Sequence, residues 1–232
     1  MDIKNCLYAL SSKQFSNLIK YNLKIENWMV KAGNIKDRLN FIEDKKYFET
    51  LKKQAKEKNI HAKNLEILSW LDTMNLLHHS LTEVKEHILN DLVIIQEYQF
   101  PFSKKRADYL LVYQNKILII EFSFDKLGDE YSYETKLTQA INYKELLTNI
   151  LPNYIEIGTY TFLINPEIDE FGNELKIKNK YTNRYEGTNW EKITELASHV
   201  NFFFNKEIES ALHELERLDY KMDITNSDFT EF

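Results

Sequence analysis

The chain has 232 residues, 43% hydrophobic and 13% aromatic, enough apolar material to bury a sizeable core as one domain with an added helical region. Its single cysteine, Cys6, excludes an internal disulfide framework and a Cys-rich zinc site, while five Gly and three Pro leave little material for linkers. The net charge of −6 argues against a protein that coats nucleic acid by bulk electrostatics, though a cation held by carboxylates and a few placed Lys or Arg residues can still neutralise individual phosphates. No apolar run approaches the ~20 residues of a membrane span, and the opening MDIKNCLYAL shows no secretory pattern, so a soluble cytoplasmic protein is expected.

Residues 1–61 read as a polar, Lys-rich helical extension. Leu7, Leu10, Phe15, Leu18 and Ile19 recur at helical spacing, as do Phe41, Tyr47, Phe48 and Leu51. Seven Lys against two Glu between Lys45 and Lys63 fit either a solvated helix face or a patch for phosphates. Residues 62–89 carry a broad apolar stripe of Leu65, Leu68, Trp70, Leu71, Met74, Leu77 and Leu81, with Glu66 near the start of the helix. His78, His79 and His87 do not read as a ligand set, because adjacent helical residues diverge by about 100° and no partner acid at i+4 spacing forms a known ligand pattern with them.

Val93 to Phe100 is a strand candidate stopped by Pro101, and Ser103-Lys104-Lys105-Arg106 is a basic connection into Asp108. Tyr109–Tyr113 and Ile117–Phe122 then read as two antiparallel strands around Gln114-Asn115. If those two residues form the loop, Tyr113 pairs with Lys116 and Asp108 falls opposite Glu121, with Cβ atoms roughly 5 Å apart. Acids at strand ends usually just face solvent. Glu121, however, ends the unbroken apolar run Ile117-Leu118-Ile119-Ile120, which reads as a strand buried on both faces, where an unpaired carboxylate needs a cation or a donor. Arg106 shares a strand face with Asp108 and is placed either to orient that acid or to meet a phosphate.

After a polar loop containing Gly128, residues 133–150 form a helix with Leu137, Ala140, Ile141, Tyr143, Leu146 and Leu147 on its inner side. Lys136, Gln139 and Tyr143 occupy one stripe at i, i+3 and i+7, either as core edge or as the wall of a cleft. Residues 155–165 read as a further strand, 175–178 as a possible short hairpin partner, and 190–218 as a long helix or helix pair.

The R-A-D-Y-L-L and I-I-E-F-S elements, followed by Q-A-I-N-Y at Gln139–Tyr143, resemble motifs of the PD-(D/E)XK nuclease superfamily, RecB-like branch. Glu66–Trp70 and Gln96–Pro101 are similar to the nuclease domain attached to certain bacterial helicases. The resemblance covers residues 62–165 and implies an α/β, restriction-endonuclease-like αβββαβ core with a central mixed sheet flanked by helices, between N-terminal (1–61) and C-terminal (166–232) extensions. It implies phosphodiester hydrolysis in DNA, with Asp108, Glu121 and Glu66 as ligands of Mg²⁺ or Mn²⁺. Gln139 and Tyr143 would position substrate or metal-bound water, and Lys105, Arg106 and Ser123 would contact substrate. The superfamily's Glu-x-Lys is here Glu121-Phe122-Ser123. The missing cation would come from Lys136 on the following helix, or from Lys126 in the loop; failing both, the fold would serve as a non-catalytic module binding nucleic acid or a protein partner, with antiphage defence a possible setting.

Overall fold

The computed structural model describes residues 3–24, 39–40, 45–101, 103–124, 130–164, 177–178, 186–187, 189–204, 215–216 and 218. A five-stranded mixed sheet runs in the order β1 (Tyr8–Ser11), β2 (Val93–Gln99), β3 (Arg106–Tyr113), β4 (Lys116–Phe124), β5 (Glu156–Ile164). The first three junctions are antiparallel; β4 and β5 are parallel. The helices are α1 (Ser12–Asn17), continued by a π-helical segment Leu18–Leu23, then α2 (Lys46–Glu57), α3 (Asn64–Thr82), α4 (Glu86–Asp91), α5 (Glu130–Ile150) and α6 (Asn189–Phe204). A two-residue pair, β6 (Ile177–Lys178) with β7 (Glu186–Gly187), forms a separate small ribbon.

Strand alternation sorts the core into two clusters, one on each face of the sheet. Tyr109, Leu111, Tyr113, Leu118 and Ile120 pack with α3 and α6 through residues such as Leu71, Met74, Leu77, Val200 and Phe204. Leu110, Val112, Ile117 and Ile119 pack on the other face with Tyr143 and Leu147 of α5. Ile117 through Ile120 are all fully buried, as the unbroken apolar run requires, because β4 lies between β3 and β5 with helices on both sides. Each such side chain contributes about 1.5–3 kcal/mol by leaving water.

The N-terminal segment departs from the helical expectation. Residues 8–11 are an edge strand paired with β2, from Tyr8↔Gln96 to Ser11↔Val93, and only from Ser12 onward is the chain helical. The helical spacing of Leu7 and Leu10 with Phe15 misled because the open edge of β2 supplies backbone partners that a short isolated helix lacks. Ser11 closes the strand and opens the helix in a capping box with Gln14. Residues 62–89 divide into α3 and α4 instead of one helix. On α5 the inner face is Ala140, Tyr143 and Leu147, while Ile141, expected inside, is 44% exposed because it lies one 100° step round from Ala140. Lys126 and Gly128, with most of residues 205–232, lie outside the described residues. Among the described residues no helix is long and apolar enough to cross a membrane.

Candidate functional site

The hairpin of β3 and β4 turns at Gln114-Asn115, with Gln114 at φ 52°, the positive value that two-residue hairpin loops demand at their first position. Tyr113 pairs with Lys116, and the ladder runs outward to Tyr109↔Ile120. One step further, side chains take over from the ladder. The Asp108 amide donates to Glu121 Oε1 at 3.0 Å, and the Phe122 amide donates to Asp108 Oδ2 at 2.8 Å. The two carboxylates are thus locked to each other's backbone, and their remaining oxygens converge.

The crossover from β4 to parallel β5 carries α5 over this face of the sheet, bringing Lys136 down onto the acids. Its ammonium donates to Glu121 Oε2 at 2.6 Å and to Asp108 Oδ2 and Oδ1 at 3.0 and 3.1 Å. Glu121 is fully buried. Burial, then the neighbouring Asp108, push its carboxyl up to about 8, with Lys136 pulling the other way. Burial alone disfavours the charge on Lys136, but Asp108 and Glu121 outweigh it and hold the ammonium above the ordinary lysine value.

A second ionic group lies one strand over. Glu97 of β2 sits across from Asp108, between the pairs Gln96↔Tyr109 and Tyr98↔Ala107. It adopts φ 55°, a left-handed conformation uncommon outside glycine and costly in a strand interior. Ile95 and Tyr98, three residues apart, enter the same core cluster, so the side-chain alternation slips between them. The slip sends Glu97 toward α3, where it accepts from Trp70 Nε1 at 2.8 Å and meets Arg106 at 3.2 Å. Arg106 in turn reaches Glu66 at 2.5 Å. Burial first, then Asp108, raise Glu97 to about 8, against the pull of Arg106.

Asp108 and Lys136 of the first group and Glu66, Trp70, Glu97 and Arg106 of the second line one open cavity of about 420 Å³, together with Ser69, Lys104, Ser123 and Gln139, while Glu121 is buried behind its wall. Several sequence expectations are revised there. Arg106 pairs with Glu66 and Glu97 instead of orienting Asp108, because the slip at Glu97 places a buried carboxylate nearer to it. Glu66, expected as a third metal ligand, is engaged by Arg106. Lys104 lines the cavity, while Lys105 is exposed outside it. Tyr143 is absent from the lining: it accepts from Gln139 Nε2 and donates to the Arg106 carbonyl at 3.0 Å, so the Gln139–Tyr143 pair pins α5 to the start of β3. Burial raises this phenol to about 12, which suits a group retained as a donor. Ser123 is buried on the cavity wall.

Glu97 escaped the sequence reading. The signal was the polar pair Gln96-Glu97 inside an otherwise apolar strand, where one of the two must be buried against something.

Among the described residues no group of three or more His, Cys, Asp or Glu is arranged to hold a metal ion. Asp108 and Glu121 nevertheless offer hard oxygen donors converging on a position that the Lys136 ammonium now fills, and that donor chemistry fits Mg²⁺ or Mn²⁺. The fit is that of a two-carboxylate site, with Glu66 outside it. Searches of protein-family models, curated proteins and solved structures return no match to the chain.

Proposed function

We propose that the chain is a metal-dependent nuclease that hydrolyses phosphodiester bonds in DNA. The observation that carries this reading is the convergence of Asp108, Glu121 and Lys136 from two adjacent strands and the next helix, with Asp108 and Lys136 lining one open cavity and Glu121 buried directly behind them. The element order from α3 to β5, a long and a short helix, three antiparallel strands, a crossover helix and a parallel strand, supports a restriction-endonuclease-like core.

In this reading Asp108 and Glu121 hold Mg²⁺ or Mn²⁺, which when bound supplies Lewis-acid polarisation of the phosphoryl oxygen and a water of lowered pKa. Lys136 takes the part of the lysine missing at Ser123. Its charge is delivered from a packed helix to within 3.1 Å of both acids, so it is already oriented for negative charge developing on a phosphate. Gln139 presents its amide at the cavity wall while Tyr143 fixes the helix that carries both. Arg106 and Lys104 supply further positive charge at the mouth.

One observation favours a second reading, a nuclease-fold protein without catalysis that binds nucleic acid or a protein partner. The Lys136 ammonium bridges both acids and, with Glu121 protonated below about 8, balances the charge of Asp108, so the site is electrostatically complete near neutral pH without a metal. Plasmid and oligonucleotide cleavage with Mg²⁺ or Mn²⁺, run on the wild type, Asp108→Asn and Glu121→Gln, separates the two. The nuclease reading expects cation-dependent cleavage lost in both variants, with thermal unfolding confirming that they remain folded. Calorimetric absence of cation binding up to millimolar metal would sink it in favour of the second.

A further inference from the structure

The far end of α3 borders a second cavity, of about 400 Å³, between α1 with its π-helical continuation, the last turns of α3, and α4. The span from Trp70 to Thr82 along α3 places it roughly 18 Å from the first cavity, at about 1.5 Å per residue. Its lining differs from the first, where three acids, Glu66, Glu97 and Asp108, stand against three bases, Lys104, Arg106 and Lys136. Here Lys13 and Lys20 are the charged residues, Ser16 and Thr82 add hydroxyls, and no Asp or Glu contributes, in a chain that carries 36 acids against 30 Lys and Arg. Neither lysine is in an ion pair with another described residue.

The cavity also has an apolar floor. Phe15, 1% exposed, lines it with Leu81 and Leu89. Ser12 Oγ donates to the Leu89 carbonyl and ties α1 to α4, closing one wall. Lys13, Ser16 and Lys20 are spaced i, i+3 and i+7, and the chain passes from α- to π-helix between Ser16 and Lys20. π-Helical turns are rare and concentrate at functional sites, where the altered winding re-aims side chains. Lys20, in the π-helical segment, lines the same hollow as Lys13.

We propose that this cavity binds a small organic phosphate of mononucleotide size, its phosphate held by Lys13, Lys20 and Ser16 and its apolar portion resting on Phe15, Leu81 and Leu89. The volume lies within the ~300–1,000 Å³ of ordinary ligand sites, and a few polar groups over an apolar floor is their usual composition. An ammonium pair without a competing carboxylate selects a phosphate over a neutral ligand. The inference stands independently of the nuclease reading.

The test is an amide-resolved NMR titration of the full chain with AMP and, separately, with inorganic phosphate. AMP is expected to shift the Ser16, Lys20, His78 and Thr82 signals saturably, more tightly than phosphate alone because only AMP uses the floor. Lys13→Gln with Lys20→Gln should weaken AMP by about tenfold or more, the loss of charge-assisted hydrogen bonds, and since both lysines are exposed the fold is retained, as the same spectra check. Asp108→Asn should leave AMP binding unchanged. The proposal is overturned by no saturable shift up to about 10 mM of either probe, by an unchanged titration in the double variant, or by shifts confined to the cavity of Glu66 and Lys136. Saturable binding of an oligonucleotide alone, lost in the double variant, would make the site a nucleic-acid contact and likewise overturn the mononucleotide assignment.

Discussion

Replacing Lys136 by methionine keeps most of the aliphatic stem and removes the charge that bridges Asp108 and Glu121. The three side chains are 26%, 22% and 0% exposed, so the group is largely but not wholly shielded from water. Removing one partner of a buried ion pair costs about 3–5 kcal/mol, and access of water to Asp108 favours the lower figure, about 3 kcal/mol. For a chain of this size each kcal/mol lowers Tm by about 2–4 °C, which gives a fall of about 6–12 °C. The loss should depend on pH. Glu121 sits at about 8 against an ordinary 4.5, so its contribution is complete below about 4.5 and is lost as pH rises through about 8. Lys136 counters that loss, and without it Glu121 holds its proton to still higher pH. The variant should therefore be only mildly destabilised near pH 6, where a proton on Glu121 does part of the lysine's work, and most destabilised near pH 9. Thermal unfolding of both proteins across that range reads the difference directly. A fall in Tm independent of pH would mean that the stem's packing, not its charge, mattered, and no fall near pH 9 would mean that the ammonium is not paired as described. Adding millimolar Mg²⁺ should recover part of the lost Tm in Lys136→Met and none of it in the double variant with Glu121→Gln.

Three further outcomes follow from the geometry. Because burial raises Glu121 to about 8, Mg²⁺ binding to Asp108 and Glu121 near pH 7 should release about one proton, seen as a buffer-dependent heat in calorimetry; binding with no proton release would contradict the raised value. Trp70→Phe removes the donor 2.8 Å from the buried Glu97 carboxylate and should cost about 1–3 kcal/mol. That donor favours the charged form, so its loss raises Glu97 further and the cost should grow above about pH 8; a flat pH dependence would place Glu97 elsewhere. Gly158→Ala puts a Cβ 2.6 Å from the Phe203 ring, whose carbonyl and face are both held by Lys116, and overpacking of this kind costs about 1–3 kcal/mol by chemical denaturation. An unchanged midpoint would show that the ring moves freely.

The sequence by itself determined the hairpin, a polar break between two apolar strands, and set Asp108 opposite Glu121 on the condition of a two-residue loop at Gln114-Asn115, which the structure supplies with Tyr113 paired to Lys116. It also determined that β4 is buried on both faces, since no alternating pattern interrupts Ile117–Ile120. The stripe of Lys136, Gln139 and Tyr143 was legible from helical period alone. Tertiary structure decided what each of those residues touches. Crossover onto the α5 face gave Lys136 both acids, and the same packing turned Tyr143 away from the cavity to hold the Arg106 carbonyl. Strand β1 depended on the open edge of β2, a partner more than eighty residues distant that local spacing cannot reveal. The pairing of Arg106 with Glu66 and Glu97 was decided by one left-handed residue, because a φ of 55° at Glu97 moves a carboxylate from one face of the sheet to the other, a change that composition and periodicity do not encode.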